Sequence, residues 1–314
     1  MVAAAATLHT PVLLAEVLEH LRPRPGGLYV DATLGLGGHG EAMLRATDPD
    51  GRLIGFEWDR EAAGIARHRL ASFGDRFRLV EASYADIRAE LQRLRVAGID
   101  GLLVDLGVSS LQLDRKERGF SFRGDAPLDM RMDRRRGRTA AELIATLSEE
   151  QLADIFYHYG QERQARRIAR FLVRARQEHP VATTGRLAEI VAAAVPRRYH
   201  PGKIHVATRV FQGLRIAVNR ELDNLARLLQ DAPDLLTPGG RICIITFHSL
   251  EDRMVKRAFA ADPAWTVITR RPLSPSADEI RRNPRARSAR LRVAERAIRP
   301  DGEANEKKRR RIGS

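Results

Sequence analysis

The sequence predicts an α/β protein of the doubly wound type, interrupted by one all-helical insertion. Strand-like apolar runs alternate with helical patterns through the first hundred residues. A glycine-rich turn, DATLGLGGHG at 31–40, follows the first of these strands, and the alternation stops after Leu106 and resumes near Arg241. Regular alternation places a parallel sheet at the centre with helices on both faces.

Each element is justified by its own pattern. Apolar runs bounded by turn residues predict seven strands, at 28–34, 52–58, 77–81, 101–106, 241–247, 265–269 and 290–297. Apolar residues at helical spacing predict helices at 41–46, 61–71, 86–96, 161–179, 187–195, 208–230 and 250–260, after a first apolar helical stripe at 12–21. Ser148 and Gln151 have the spacing of a capping box, and Ser249 is expected to cap the helix that follows it. The segment 236–240, LTPGG, predicts a turn.

Two domains follow from this organisation. We expect a discontinuous α/β domain over 1–112 and 217–314, and a helical domain over 113–216. A length of 314 residues accommodates both. The arginine-rich stretch 115–138 has no clear period, which is typical of a long functional loop. The terminal EKKRRR at 306–311 predicts a solvated basic arm.

Composition narrows the class of protein. The chain has 54 Lys and Arg against 40 Asp and Glu, a net charge of +14, which favours a polyanionic partner such as nucleic acid. A basic, arginine-rich proteome is the alternative explanation. The single cysteine, Cys243, excludes an internal disulfide and a cysteine-cluster zinc site. No apolar run reaches the ~18 residues of a membrane span, and the first ten residues do not resemble a signal peptide, so a cytoplasmic enzyme is expected.

The glycine turn leaves two cofactors open. Gly35, Gly37 and Gly40 spell GxGxxG, and Glu57 ends the next strand, which together form the signature of a nicotinamide dinucleotide site. Asp31 at the start of the turn argues against this, because its carboxylate would repel a pyrophosphate. A carboxylate there suits the cationic methionine end of S-adenosylmethionine, so the pattern favours a methyl donor.

Polar residues follow the fourth and fifth strands, at the edge where open α/β sheets place their chemistry. Asp105 is the first candidate for a catalytic role, either toward the cofactor or toward the substrate. Ser109 and Ser110 are candidate hydrogen-bond acceptors, unless their hydroxyls cap the following turn. His248 is a further catalytic candidate, although a lone histidine at a strand end is more often structural.

Nine short motifs together resemble the bacterial 16S ribosomal RNA (cytosine-N4) methyltransferase family, known as RsmH or MraW. They are HTPVLL at 9–14, GGH at 37–39, DLGVSS at 105–110, RGFSF at 118–122, DMRM at 129–132, YGQE at 159–162, ATRVFQ at 207–212, FHSLEDR at 247–253 and NPRARS at 283–288. Each motif is weak alone, but their order across 9–296 is specific.

The resemblance implies a class I S-adenosylmethionine methyltransferase of Rossmann-like fold that methylates a decoding-region cytidine at N4. Alongside Asp31, the implied cofactor contacts are Gly37, Gly38, His39, Glu57, Tyr84, Asp105 and Gln112. For His39 the backbone N–H is expected to matter more than the ring, and Gly35 and Gly40 are left as turn-formers. This chain departs from the family pattern at three positions: the family usually has Asp where this chain has Glu57, Phe where it has Tyr84 and Pro where it has Leu111. The resemblance implies no metal.

The expected partner is 16S ribosomal RNA or the small ribosomal subunit, bound by a monomer or a homodimer without a membrane. Phe120 and Phe122 lie between arginines and could stack on an extruded base, or they could anchor the loop in a core. Three arginine groups offer phosphate contacts. They are Arg134, Arg135, Arg136 and Arg138; Arg163, Arg166, Arg167 and Arg170; and Arg285, Arg287 and Arg290. A nicotinamide oxidoreductase and a non-catalytic RNA-binding protein on the same fold remain the alternatives.

Overall fold

A computed structural model describes residues 11–202 and 204–298 of the chain. His9 and Thr10, the N-terminal segment tested for a signal peptide, and the basic tail at 306–311 lie outside the described residues. The chain divides into two compact units, called here the sheet unit and the helical unit. The sheet unit holds the residues up to Glu57, 63–107 and those from Ala226 onward, and the helical unit holds 58–62 and 108–225.

The sheet unit is built on seven strands in the order β3-β2-β1-β4-β5-β7-β6. The strands are β1 Leu28–Asp31, β2 Arg52–Phe56, β3 Phe77–Val80, β4 Ile99–Asp105, β5 Leu236–Thr246, β6 Trp265–Val267 and β7 Arg290–Arg296. The first five pair in parallel, and β7 pairs antiparallel with both β5 and β6. This order is that of a Rossmann-like methyltransferase fold, the fold expected from the sequence, and all seven predicted strands are present.

Thirteen α-helices complete the described chain. They are α1 Leu14–Leu21, α2 Gly38–Ala46, α3 Arg60–Arg69, α4 Ile87–Arg93, α5 Ser110–Asp114, α6 Ala140–Thr146, α7 Glu149–Asp154, α8 Ala165–Glu178, α9 Thr184–Ala194, α10 Thr208–Asn219, α11 Glu221–Leu235, α12 Ser249–Ala261 and α13 Ala277–Arg282. No helix in the described ranges is both long and apolar enough to cross a membrane.

The core of the sheet unit lies along β4 and β5. The runs 102–104 and 242–245 are fully buried, including Cys243. Continuous burial is expected of parallel strands that are covered on both faces. The predicted turn at 236–240 is a bulge within β5: Leu236 pairs with Ile99 and Arg241 pairs with Gly101, while Gly239 adopts φ +79°.

The helical unit has its own core, which corrects the base-stacking interpretation of two aromatic residues. Phe120 is 8% exposed within a cluster that includes Phe156 and Leu172. The ring of Phe122 packs against Phe211, with ring centroids 5.0 Å apart. Both phenylalanines therefore anchor the loop that carries them.

Two helix boundaries differ from the prediction. The single helix expected over 208–230 is broken at Arg220, which adopts φ +52° between α10 and α11. Asn219 explains the break: its side-chain amide donates to the carbonyl of Met130 and accepts from the amide of Met132, both at 2.8 Å. At α12 the capping residue is His248 rather than Ser249.

Candidate active site

The glycine turn is fixed by hydrogen bonds within the sheet unit. The amide of Gly37 donates to the carbonyl of Leu34 at 2.8 Å, and Gly37 adopts φ +82° immediately before α2. The amide of Gly35 donates to Oε2 of Glu57 at 2.9 Å. Glu57, at the end of β2, thus holds the turn that follows β1.

Close packing explains why two more glycines follow. A Cβ atom on Gly38 would lie 2.6 Å from Cγ of Pro11, and one on Gly40 would lie 2.9 Å from Cδ2 of Leu53. Gly40 lies inside α2, so its assignment as a turn-former was wrong. It allows the helix to approach β2, a role that the third glycine of such motifs serves generally.

Asp31 is a buried acid at the end of β1. Asp31 is 1% exposed, and its Oδ1 accepts a hydrogen bond from the amide of Thr33 at 3.1 Å. In the described part of the chain no basic side chain forms an ion pair with it. Burial raises the pKa of Asp31 to about 7, although the Thr33 hydrogen bond acts in the opposite direction.

Asp105 ends β4 and is positioned by the same turn. Its amide donates to Oγ1 of Thr33 at 2.6 Å. Its Oδ1 is fully covered and has no hydrogen-bond partner among the described residues. Burial, followed by the negative charges of Asp31 and Glu251, raises the pKa of Asp105 well above its usual range.

The ring of His39 joins this cluster, which the sequence did not predict. His39 is 6% exposed, and its Nε2 lies 3.0 Å from the carbonyl oxygen of Val12. A carbonyl accepts only, so this contact assigns the proton to Nε2. Nδ1 then faces Oδ2 of Asp105 at 3.8 Å. The ring therefore connects the N-terminal segment to the acid.

His248 follows β5, where its ring caps α12. Nδ1 accepts from the amide of Glu251 at 3.4 Å, and Nε2 lies 3.1 Å from Oε1 of Glu251. Oε2 of Glu251 in turn accepts from the amide of Phe247 at 2.8 Å. These contacts favour the structural interpretation of His248. They also identify Glu251, which the sequence interpretation missed although the capping-box spacing could have revealed it.

Tyr84 opens a 3₁₀ turn at 84–86 after β3 and is 9% exposed. Ser83 caps this turn by accepting from the amide of Ala85 at 3.2 Å. The aromatic residue expected against the cofactor's adenine thus lies at the start of a capped turn in the sheet unit.

The remaining predicted residues belong to the helical unit. Ser109 and Gln112 form a capping box at α5, in which Oγ of Ser109 accepts from the Gln112 amide and the Ser109 amide donates to Oε1 of Gln112. Nε2 of Gln112 also donates to Oδ2 of Asp59 at 3.0 Å. Gln112 and Ser109 therefore both have structural roles. Ser110 begins α5, and within the described residues its hydroxyl has no hydrogen-bond partner.

Two arginines of the stretch 115–138 form ion pairs within the helical unit, and one of them, Arg135, was expected to contact RNA phosphates. Arg118 is 4% exposed, and its Nη1 lies 2.7 Å from Oδ2 of Asp59. Nε of Arg135 lies 2.7 Å from Oδ1 of Asp133. Burial alone would raise the pKa of Asp133, but hydrogen bonds from Arg135 hold it below its usual range. Arg118 and Arg135 are therefore structural ion-pair partners.

Arg166 and Arg170, two of the predicted phosphate contacts, are exposed on α8 together with Arg174. Arg166, Arg170 and Arg174 recur every four residues, while Ile168 and Leu172 on the opposite face are fully buried. Residues four apart lie on one face of a helix. Arg170 lies 3.6 Å from Glu149, and the described residues offer no ion-pair partner to Arg166 or Arg174. The helical unit thus presents a basic stripe.

Comparison with known proteins adds a family match. The model of the MraW methylase family matches residues 6–297. "Ribosomal RNA small subunit methyltransferase H" of Desulfotalea psychrophila is 56% identical over 291 residues, covering 93% of this chain and 99% of the relative. The proteins of the same name from Geobacter sulfurreducens and a Cyanothece species are each 51% identical, covering 91% and 92% of this chain and 98% and 95% of the relatives.

Proposed function

This chain belongs to the MraW methylase family, and on that premise we propose that it transfers a methyl group from S-adenosylmethionine to the N4 amine of a cytidine in the decoding region of 16S ribosomal RNA. The names of its relatives support a small-subunit RNA substrate, and the net charge of +14 suits such a polyanion. We place this reaction in the cytoplasm, carried out by a monomer or a homodimer. Membership of a methylase family also sets aside the nicotinamide alternative.

The observation that carries the proposal is the uncompensated acid at the carboxyl edge of the sheet. Oδ1 of Asp105 is buried without a hydrogen bond, and Asp31 lies close enough to raise its pKa further. Two carboxyl groups, Asp31 buried and Asp105 partly buried, have no arginine or lysine partner in the described chain, which favours a cationic ligand that would lower both pKa values. S-adenosylmethionine carries positive charge on its sulfonium and its amino group.

The surrounding residues fit this cofactor. The backbone of Gly37 and Gly38 would border it, and Glu57 and Tyr84 would contact its ribose and adenine. When bound, S-adenosylmethionine supplies an electrophilic methyl group. The side-chain amide of Gln112 is already engaged by Ser109 and Asp59, so it would have to give up one of these partners to contact the cofactor.

The chain's own contribution is mainly alignment. The N4 lone pair of cytosine is delocalised into the ring, so the site must orient the amine and accept its hydrogens. Orientation can contribute about 7–11 kcal/mol, more than one general base provides. Asp105 is the stronger acceptor, and can take a proton from the amine, only when ionised, and its raised pKa makes ionisation dependent on a nearby positive charge. The hydroxyl of Ser110 is the second candidate acceptor.

The test is transfer of a labelled methyl group to unmodified small-subunit RNA, with the product nucleotide mapped by mass spectrometry. We expect one cytidine modified at N4. Asp105→Asn should reduce the rate by about 30-fold to several thousandfold, because loss of one member of a charged pair commonly costs about 2–5 kcal/mol. Asp75→Asn, which changes an exposed acid of the same unit, is the matched control and should retain the rate. Methylation at another atom, or full activity of Asp105→Asn, would contradict the proposal.

A further inference from the structure

Residues 11–13 of the sheet unit lie against the glycine turn, and this segment is called here the strap. Val12 and Leu13 are 4% and 0% exposed, and both belong to the apolar core of the unit. A Cβ atom on Gly38 would lie 2.6 Å from Cγ of Pro11, so the strap packs directly on the turn. Its backbone therefore borders the proposed cofactor site, although none of the contacts assigned above lies in it.

One peptide group of the strap is hydrogen-bonded at both ends. The amide of Leu13 donates to Oε1 of Glu279 at 2.8 Å. The carbonyl of Val12 accepts from Nε2 of His39 at 3.0 Å. This amide and this carbonyl belong to the same planar peptide bond, so the direction of one fixes the direction of the other. Glu279 therefore determines where the carbonyl that faces His39 points.

The peptide is held in an orientation that its backbone does not favour. Leu13 adopts φ +55°, in the left-handed region, which is unfavourable for a bulky side chain. Turning the peptide over would rotate φ of Leu13 by roughly 180°, into the allowed negative range. The same rotation would replace the carbonyl that faces His39 with the Leu13 amide. Contacts outside the strap are therefore needed to keep the observed orientation, as is general for strained residues at functional sites.

The carboxylate that holds this amide is itself firmly placed. Glu279 lies on α13, between β6 and β7. Its amide donates to Oγ of Ser276 at 3.1 Å, and its carbonyl accepts from the amide of Asn283 at 2.7 Å. Asn283 then caps the following 3₁₀ turn, in which Ala286 is fully buried. The NPRARS motif at 283–288 thus anchors the helix that carries Glu279.

The orientation of the peptide sets the tautomer of His39. A carbonyl only accepts, so the ring proton lies on Nε2, and Nδ1 faces Oδ2 of Asp105 at 3.8 Å as an acceptor. If the peptide turned over, an amide would face Nε2, and the ring proton would move to Nδ1. Nδ1 would then donate toward Asp105 instead of accepting from it. The position of the ring proton therefore depends on the peptide and, through the peptide, on Glu279.

We propose that Glu279 is a positioning residue for methyl transfer, which acts through the strap peptide on the ring of His39. It keeps Nδ1 of His39 facing Asp105 as a hydrogen-bond acceptor. The inference rests on the proposed function, because it takes Asp105 as the group that accepts the amine proton. As the bond from N4 to the methyl carbon forms and the bond from sulfur to that carbon breaks, the amine loses one proton. The carboxylate of Asp105 takes this proton, and Nδ1 accepts the hydrogen bond of the resulting hydroxyl.

NMR measures the tautomer of His39 directly, without cofactor or RNA. In a chain labelled with ¹⁵N-histidine, the nitrogen shifts distinguish a proton on Nε2 from one on Nδ1, and the His39 signals are those absent from His39→Leu. We expect the proton on Nε2 in wild type and changed shifts in Glu279→Ala. Asp278→Ala removes the neighbouring exposed acid of α13 and is the matched control, which should keep the wild-type shifts. Wild-type shifts in Glu279→Ala would overturn the proposal.

A conservative replacement separates hydrogen bonding from charge. Glu279→Gln keeps an oxygen that can accept from the Leu13 amide and removes the charge, so it should keep both the His39 shifts and the rate of methyl transfer. Glu279→Ala should lower kcat about tenfold and leave KM for RNA within about twofold, by analogy with groups that orient a metal-binding histidine, which contribute about 10–100-fold. Equal losses in Glu279→Gln and Glu279→Ala would show that charge is what matters, which contradicts the positioning role.

A double variant tests whether Glu279 acts through the ring. Because His39→Leu has no ring to orient, Glu279→Ala in that background should lower kcat by less than about twofold. A full additional tenfold loss, on the order of that in the wild-type background, would show that Glu279 acts by another route and would overturn the inference. A wild-type chain with the expected tautomer that transfers no methyl group to N4 would overturn the proposed function. A wild-type chain that transfers it, with kcat unaffected by Glu279→Ala, would overturn this inference alone.

Discussion

Aspartates inside the two units have opposite electrostatic environments. At the carboxyl edge of the sheet unit, Asp31 is buried and Asp105 is partly buried, neither has an arginine or lysine partner in the described chain, and the pKa values of both are raised. In the helical unit, Asp129 and Asp133 are also buried, but arginine hydrogen bonds outweigh burial and hold their pKa values below the usual range. An ionised aspartate therefore destabilises the fold at the edge of the sheet unit and stabilises it in the helical unit.

This difference indicates what each unit binds. Charge left unpaired inside a fold is costly unless a ligand compensates it, so the sheet unit is organised to receive a cation. Away from this edge the sheet unit pairs its acids too: Asp252 forms a bidentate contact with Arg292, at 2.6 and 3.2 Å. The helical unit neutralises its buried acids internally and presents its remaining arginines on the surface of α8, where a polyanion can bind.

The largest expected effect comes from Asp31→Asn. A rise in pKa from 3.8 to about 7 corresponds to about 4 kcal/mol of destabilisation once Asp31 is ionised. Because the folded chain holds this proton more tightly, stability contributed by the group is present below about pH 4 and is lost as the pH rises through about 7. Asp31→Asn should therefore be more stable than wild type at about pH 8 and similar at about pH 4, measured by urea unfolding.

The same variant should bind S-adenosylmethionine more weakly, as measured by titration calorimetry. A gain in stability together with a loss of affinity would mark Asp31 as an acid kept for its ligand. A variant that loses stability at high pH would show that Asp31 is compensated by a group within the chain, and the contrast between the units would fail.

Asp129→Asn should change folding stability in the opposite direction, and by a smaller amount. Nε of Arg131 lies 2.7 Å from Oδ1 of Asp129, and the Arg131 amide also donates to that oxygen at 3.1 Å. Hydrogen bonds to charged groups contribute about 1.5–3 kcal/mol, so the variant should lose about 2 kcal/mol at neutral pH. Because the pKa of Asp129 is lowered, this stability is present above the usual range of the group and is lost on acidification.

Calorimetric unfolding at neutral and acidic pH checks this outcome. In acid, the folding stability of both variants should approach that of wild type. As the pH rises, Asp129→Asn should become less stable than wild type, and Asp31→Asn should become more stable. Unchanged stability of Asp129→Asn at neutral pH would show that the arginine contacts of the helical unit are dispensable.

The sequence was sufficient to predict the strands of the sheet and the glycine turn, because the signals for strands and turns are local. The strands and the glycine turn follow from runs of a few residues, and the acid at position 31 could be interpreted from its place in the turn. Arg118 could not be interpreted this way, because its partner Asp59 lies far away along the chain and nothing local distinguishes a paired arginine from a free one. His248 was missed as a cap for a different reason: Ser249 belongs to the preferred capping types and histidine does not.

The break at Arg220 shows the same limit in the helical unit. The apolar period continues through 208–230, and arginine is a good helix former, so no local signal marks a boundary. The boundary comes from Asn219, whose side chain bonds the backbone of Met130 and Met132. Pairing between residues distant in sequence therefore decided both the helix break and the burial of Arg118.

The smallest expected effect tests the other half of the comparison, the surplus of arginine on α8. Arg166 is exposed and without an ion-pair partner in the described chain, so Arg166→Gln should leave folding stability within about 0.5 kcal/mol of wild type. Affinity for decoding-region RNA should fall several-fold, and the slope of log affinity against log salt should decrease by about 1. Arg186→Gln, which removes an arginine that faces Glu189 on α9, is the matched control and should leave the slope nearly unchanged. Equal changes in both variants would show that RNA affinity depends on net charge alone, and α8 would then make no specific contribution to RNA binding.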